Sequence, residues 1–294
     1  MPISASTFIK GMRGGAQSKL LRASNGHSYV VKFQNNPQGK RILANELLAG
    51  QLARKVGLPV PEPRIIWVSE ELIDATPQLR IEHPANSTPC VSGFQFGSKF
   101  VLKELGQGEV RECTSQLLSR GMELGTVFAG MLAFDIWTLN RDYRQVLTFR
   151  HYQEQNYSVA FIDNGHCFNA TKWSFADTSR FCMLHDCLAC SWVTGWNSFE
   201  PWLSRIEALD EEQIWRTAAD IPEEWYESKE DLVNLVCNLA KRRRQIRREL
   251  TSMRRHTRNP FPHWGDRRLA ARIGHIASKG HSQRFLELGR ASLA

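Results

Sequence analysis

One segment limits the fold more than any other. ELGTVFAGMLAFDIWTLN, residues 123–140, is apolar almost all the way round when wound as a helix. A helix without a polar face has to be enclosed by other elements, so this one predicts a helical body built around it. Its most apolar window, Leu124 to Ile136, is too short to cross a bilayer and contains Thr126 and Asp135. Asp135 has to find hydrogen-bond partners inside that body. A chain of 294 residues is long enough to build it and a second lobe beside it.

The preceding part has a different pattern. LLRASNGHSYVVKF reads as a β-hairpin, with strands at Leu20 to Ala23 and Ser28 to Phe33 and the turn signal Asn25-Gly26 between them. RGGAQSK, just before it, is a short glycine-rich loop. After it, a helix is expected from about Gln38 to Val56, ending near Gly57 and stopped by Pro59 and Pro61. RIIWV (64–68) and KFVLK (99–103) are expected strands, with a polar loop between them. Residues 111–139 read as one or two helices. RQVLTFR (144–150) and SVAFID (158–163) form a small hairpin, followed by amphipathic helices and a long one from about Pro222 to His256.

Lys32 sits inside the apolar strand YVVKF, where a lone ammonium is costly. On the next helix, Glu46 shares a face with Ile42, Ala49 and Ala53, where a lone carboxylate is costly too. Pairing across a sheet–helix interface relieves both and leaves the lysine able to hold a phosphate. The alternative is that both are half-exposed surface residues. RGGAQSK can curl backbone N–H groups round a phosphate, or it is an ordinary turn; it lacks the GxxxxGK[ST] pattern. In TLNRDYRQ, the residues Asn140, Asp142 and Arg144 crowd a short connection, and AFIDNGHCF places Asp163 at a strand end with Gly165 permitting a sharp turn. Each aspartate alone reads as a turn or cap residue. Together, at the two ends of a hairpin, one can position a hydroxyl and the other can hold Mg²⁺ on a nucleotide. Glycine loop, strand Lys, helix Glu, loop Asp and strand-end Asp-x-Gly is the order of parts in protein kinases.

The stretch GGAQSKLLRASNGHSYVVKFQNNPQGKRILANELLAGQLARKVGLPVPEP closely resembles the N-lobe of the HipA-like kinase domain family. FDIWTLNRDYRQ and FIDNGHCF resemble that family's catalytic and metal-binding segments, and IPEEW (221–225) is similar to a helix-start motif further on. The resemblance spans roughly residues 8 to 240. It implies an α+β, bilobal, protein-kinase-like fold, with a strand-rich N-lobe holding one helix and a mainly helical C-lobe. We divide the chain into an N-lobe at 1–104, a C-lobe with the catalytic hairpin at 105–256, and a basic tail at 257–294. By the resemblance, Gly14, Gly15, Gln17 and Ser18 form the phosphate loop, Lys32 contacts the phosphates of ATP, and Glu46 braces Lys32. Asp142 orients the phosphoryl acceptor, Asp163 binds Mg²⁺, and Asp135 hydrogen-bonds loop backbone. The asparagine that family-type loops place about five residues after the catalytic aspartate is Leu147 here; Gln145 is the nearest amide, with Asn164 as another candidate ligand. The implied activity is transfer of the ATP γ-phosphoryl to a hydroxyl, a protein Ser or Thr, with Ser18 a site of autophosphorylation. The alternative is a nucleotide-binding pseudokinase that acts through a partner.

The remaining features are less specific. FCMLHDCLAC brings Cys182, His185, Cys187 and Cys190 together, but at irregular spacing that reads as buried structural thiols rather than a zinc site. His166 reads as a capping or core histidine, or as support for Asp163. The net charge of +8 is uneven: residues 241–294 have 15 Lys and Arg against 3 Asp and Glu, which leaves the first 240 residues at −4. That argues against a nucleic-acid binder throughout, while KRRRQIRRELTSMRR (241–255) is either a solvated helix face or a polyanion contact. MPISASTFIK lacks a signal-type apolar region, and seven cysteines, an odd number, fit a reducing cytoplasm with no membrane partner.

Overall fold

The computed structural model describes residues 3–101, 108–112, 122–151, 158–175, 188–257, 259–271 and 273. Its first part is a closed five-stranded barrel. The strands are β1 (Ile3–Gly11), β2 (Lys19–Ala23), β3 (Ser28–Lys32), β4 (Pro63–Val68) and β7 (Gly93–Lys99), in the order β1-β2-β3-β7-β4. Parallel pairing of Ile3 with Ile66 and of Ser4 with Trp67 closes it, and the other pairs are antiparallel. Inside lie Leu21, Tyr29, Val31, Phe33, Ile66 and Val68. The hairpin β2–β3 turns at Gly26, whose φ of 78° suits glycine.

The segment between β4 and β7 is more structured than the polar loop expected from sequence. It contains α2 (Glu70–Asp74), capped by the Ser69 hydroxyl, and the hairpin of β5 (Arg80–Glu82) and β6 (Ser87–Pro89). The expected strand at 99–103 lies earlier, as β7, which ends at Lys99 with Phe100 making a last bond to Ser28 O of β3. Gly97 shows why a glycine-containing strand fits there: a Cβ would lie 2.4 Å from Ile66 Cγ1 on β4.

Helix α1 (Arg41–Lys55) begins three residues later than expected. Asn36 holds the preceding turn, accepting from the Gln38 N–H and donating to Phe33 O and Gly39 O, and Gly39 has a φ of 94°. Every residue from Ile42 to Gly50 is buried. Leu43, Leu47, Leu48 and Leu52 belong to the larger core, which continues into the helical part; each contributes about 1.5–3 kcal/mol as an upper estimate.

That core surrounds α3 (Met122–Thr138), as its all-round apolar character requires. Residues 111–112, expected to be helical, belong instead to strand β8 (Gly108–Glu112), which pairs with β9 (Gln145–His151); β9 in turn pairs with β10 (Ser158–Ile162). The remaining helices are α4 (Trp202–Ala208), α5 (Glu211–Ala218), α6 (Lys229–Arg242) and α7 (Ile246–Arg255). The single long helix expected over 222–256 is therefore broken. Ser228 caps α6, and the chain turns again at Arg243–Gln245. The second break lets Arg242 point inward, where it donates to Ile136 O at 2.6 Å and Trp137 O at 2.9 Å. A guanidinium thus meets the unpaired carbonyls at the C-terminal end of α3. Beyond α7, Phe261 is fully buried and Trp264 meets Trp196 edge-on, so the first part of the basic tail packs on the helical core.

Candidate active site

Strand β3, helix α1 and the end of β10 converge on Lys32. Its Nζ lies 2.5 Å from Glu46 Oε1 and 2.9 Å from Asp163 Oδ1. The pairing expected from the strand and helix pattern is present, with Asp163 as a third member. Glu46 spends its other oxygen on the Asn164 backbone N–H at 2.9 Å, so one carboxylate braces both the lysine and the turn after β10. The Lys32 and Glu46 side chains are only 10% and 4% exposed. Burial alone would lower the Lys32 pKa, but Glu46 and then Asp163 outweigh it and hold the ammonium well above its ordinary value. Burial, reinforced by Asp163, raises the Glu46 carboxyl against the pull of Lys32. For Asp163, burial is overcome chiefly by Lys32, with a smaller contribution from His166, and the carboxyl lies below its usual range.

The turn after β10 is shaped by α1. A Cβ on Gly165 would lie 2.7 Å from Ile42 Cγ2, so glycine is required here by the close approach of the helix rather than by a sharp turn. Next to Glu46, the fully buried Asn45 directs its amide nitrogen to Gly165 O, Cys167 O and Ala170 O at 2.7, 3.0 and 2.9 Å, and its oxygen accepts from Trp173 Nε1 at 2.7 Å. This loop has left-handed backbone at Phe168, Asn169, Ala170 and Trp173, and Asp163 itself has a φ of 62°. The sequence reading missed Asn45. Its signal was an amide inside the apolar run ILANELLAG.

The connection from α3 to β9 holds Asp142. Its side chain is 45% exposed, Oδ1 accepts from the Tyr143 N–H at 2.8 Å, and Oδ2 lies 4.0 Å from His166 Nε2. The anchor of this connection is Arg144, named in the sequence but given no role there. It pairs with Asp135 and donates to Ile162 O, Asp163 O and Asn164 Oδ1 at 3.3, 3.2 and 2.7 Å. Burial disfavours its charge, but Asp135 outweighs burial and raises its pKa. Asp135 was expected to bond loop backbone with its carboxylate; it bonds the side chains of Arg144 and Asn140 instead.

The glycine loop joins β1 to β2. Gly14 and Gly15 are exposed, Gly14 has a φ of 124°, and Ser18 is buried at 7%. The Gln17 side chain makes a two-way clamp on Glu82 of β5, donating to its carbonyl at 2.7 Å and accepting from its N–H at 2.8 Å. Gln17 thus braces the loop through its side chain.

Glu46 and Asp163 place two carboxylates against one ammonium, but both Glu46 oxygens are committed, to Lys32 and to the Asn164 N–H. Asn164 Oδ1 is taken by Arg144, whereas the exposed Gln145 donates through Nε2 to Asp163 Oδ2 at 3.0 Å and keeps its amide oxygen unused in that contact. Asp163 and the amide oxygen of Gln145 are the groups beside Lys32 that could join a divalent cation, an ion commonly held by one or two protein groups together with phosphates. Leu147 is a strand residue, paired with Ala160 and Glu112. Among the described residues no group of three or more His, Cys, Asp or Glu is placed to hold a metal. Cys182, His185 and Cys187 lie outside the described residues, and Cys190 is buried.

No functionally curated protein matches the chain. Its architecture is similar to that of hydra Fam20, solved with sugar (TM-score 0.54, 11% identity, over 88% of this chain and 86% of that one). It is similar also to the Helicobacter pylori proinflammatory kinase CtkA (0.51, 14%, over 81% and 92%) and to the Golgi casein kinase (0.54, 12%, over 87% and 74%). At such identities the likeness shows a kinase-like α+β fold. The HipA-like kinase family model matches residues 7–257, most of the chain and all of the residues around Lys32, and the chain belongs to that family.

Proposed function

We propose that this protein is an ATP-dependent kinase that transfers the γ-phosphoryl group to the hydroxyl of a protein Ser or Thr. The observation that supports it best is the buried Lys32 held between Glu46 and Asp163, with Asp142 on the adjoining connection. Lys32 contacts the nucleotide phosphates and Glu46 fixes its position. The backbone of Gly14 and Gly15 borders the phosphates, and Ser18 and Gln17 complete the loop. Asp163 with Gln145 would hold Mg²⁺, which would supply neutralisation of phosphate charge. Asp142 orients the acceptor hydroxyl; its Oδ1 is occupied by the Tyr143 N–H, which leaves Oδ2 for the hydroxyl proton. The acceptor oxygen bonds to phosphorus as the bond to the β-phosphate breaks, and ADP leaves.

A second reading, a nucleotide-binding pseudokinase, draws support from Leu147 in the β9 ladder, where family-type loops have a metal-binding asparagine. Autophosphorylation at Ser18 requires the loop to open, because Ser18 is buried. We read the chain as two lobes meeting near residue 104, with the remainder beyond 256 as an appendage of the second. The odd cysteine count fits a cytoplasmic protein, and no described helix is long and apolar enough to cross a membrane. Within the basic run, Arg242, Arg243 and Arg247 bond internal carbonyls and carboxylates. Lys241, Arg244, Arg248 and Arg255 remain exposed as the face for a polyanion.

Calorimetric titration of ATP with and without Mg²⁺, on wild type and Asp163→Ala, tests the proposal. Expected are Mg²⁺-dependent binding that the substitution abolishes, and phosphopeptides after incubation with Mg²⁺ and ATP. Tight binding indifferent to metal and to Asp163 would favour the pseudokinase, and no binding would overturn both.

A further inference from the structure

Two polar side chains bridge the space between the glycine loop and Asp142. Gln38 lies in the turn before α1, positioned by its own N–H on Asn36 Oδ1 at 2.9 Å. Its Nε2 is 3.3 Å from His166 Nε2, and a Cβ on Gly15 would sit 3.2 Å from the same Gln38 nitrogen. His166 Nε2 is in turn 4.0 Å from Asp142 Oδ2. The His166 backbone is fixed, because its carbonyl accepts from the N–H groups of Arg141 at 3.1 Å and Ala170 at 3.3 Å. A continuous line therefore runs from Gly15 through Gln38 and His166 to Asp142.

In phosphoryl transfer the moving group lies between the loop that holds the nucleotide and the carboxylate that orients the acceptor. Here that interval is spanned by Gln38 and His166. Lys32 has three N–H groups, two of them committed to Glu46 and Asp163, so it has little left for a terminal phosphate. The Gln38 amide nitrogen can only donate, so His166 Nε2 accepts from it here; once a phosphate oxygen takes the Gln38 N–H, the imidazole in its Nε2–H tautomer becomes a second donor to anionic oxygens. Both side chains are only partly buried and approach the site from different parts of the fold, Gln38 from the barrel side and His166 from the turn after β10.

Resting on the kinase reading, we propose that Gln38 and His166 form the binding site for the terminal phosphoryl group of the nucleoside triphosphate. As the bond from acceptor oxygen to phosphorus forms and the bond to the β-phosphate breaks, these donors follow the phosphoryl oxygens. The acceptor proton goes to Asp142 Oδ2, and Gln38 and His166 keep their own. They discriminate ATP from ADP because only ATP carries the group they bind.

Calorimetry of ATP and ADP in the presence of Mg²⁺, on wild type, His166→Ala, His166→Gln and Gln38→Ala, tests this directly. Expected is a loss of ATP affinity of about 10-fold or more in His166→Ala and in Gln38→Ala, with ADP affinity unchanged. His166→Gln, which keeps an N–H donor, should restore most of it. An unchanged ratio of ATP to ADP affinity in both alanine variants overturns the assignment, and so does an equal loss for both nucleotides, the mark of a merely structural role. If His166→Ala does not fold, Gln38→Ala decides alone. A wild type that binds neither nucleotide overturns the kinase reading and the assignment together, whereas failure of the assignment alone leaves wild-type binding intact.

Discussion

Replacing Asn45 by alanine tests whether α1 and the turn after β10 are held as one unit. The Asn45 side chain is fully buried and faces four backbone or ring groups. An amide NH₂ has two hydrogens, so it satisfies two of the three carbonyls strongly, while its oxygen satisfies the Trp173 indole N–H. Alanine leaves at least three buried polar groups without a partner, each costing about 1 kcal/mol or more. The expected destabilisation is therefore about 3 kcal/mol. For a chain of this size that lowers Tm by roughly 6–12 °C. The effect should concentrate in the loop, because Phe168, Asn169, Ala170 and Trp173 are held in left-handed backbone that costs about 1 kcal/mol or more apiece. The assay is urea and thermal unfolding, with amide hydrogen exchange read over residues 164–173. Asp220→Ala, at an exposed position, serves as control and should shift stability by less than about 0.5 kcal/mol. A loss below about 1 kcal/mol, or exchange that rises evenly across the chain, would refute the reasoning.

Arg144→Ala should destabilise by about 3–5 kcal/mol, because it strands the Asp135 carboxylate inside the protein; pairing Arg144→Met with Asp135→Leu should recover part of that in a double-mutant cycle. The pH dependence follows from Asp163. Its folded pKa is depressed by Lys32, so the stability it contributes is present above the unfolded value of about 4 and is lost as pH falls through the lower folded value. Lys32, with a raised folded pKa, contributes fully below its unfolded value of about 10.4 and loses that contribution only as pH rises beyond it. The difference in urea midpoint between wild type and Asp163→Asn should therefore be flat from about pH 5 to 9 and shrink below about pH 4. A difference that already decays at pH 6 would contradict the Lys32–Asp163 pairing.

What was legible in the sequence divides along physical lines. Lys32 and Glu46 were found because charge inside an apolar pattern has a cost that needs an explanation, and the local period of strand and helix shows which residues bear it. That Asp163 also joins Lys32 could not be read from local periodicity, since 131 residues separate them. Strand β7 was misplaced because Gly93, Gly97 and Ser98 weaken its pattern, while KFVLK just beyond looked better by composition. Only the position of Ile66 explains the glycine. The break between α6 and α7 was missed for the same reason: Arg242 looks like one more member of a basic run until the end of α3 is placed beside it.

The same long-range contacts limit how the site can be controlled. Helix α1 is fastened to the helical part along its length. Arg41 pairs with Asp231 and Glu227 at its start, Asn45 bonds the turn after β10, and Arg205 donates to Val56 O at its end. Swinging α1 away to separate Glu46 from Lys32 would break all three anchors and open the larger core at Leu43, Leu47 and Leu48. Such a motion costs a large fraction of the few to fifteen kcal/mol that hold a domain together. The glycine loop is different. Gly14 and Gly15 are exposed, and among the described residues that loop is tied by the Gln17 clamp on Glu82 and approached by Gln38. Opening it exposes Ser18 and frees Gln38 and His166 while leaving Lys32, Glu46 and Asp163 in place. Opening the site therefore costs less at the glycine loop than at the helix, and Lys32 stays held between Glu46 and Asp163.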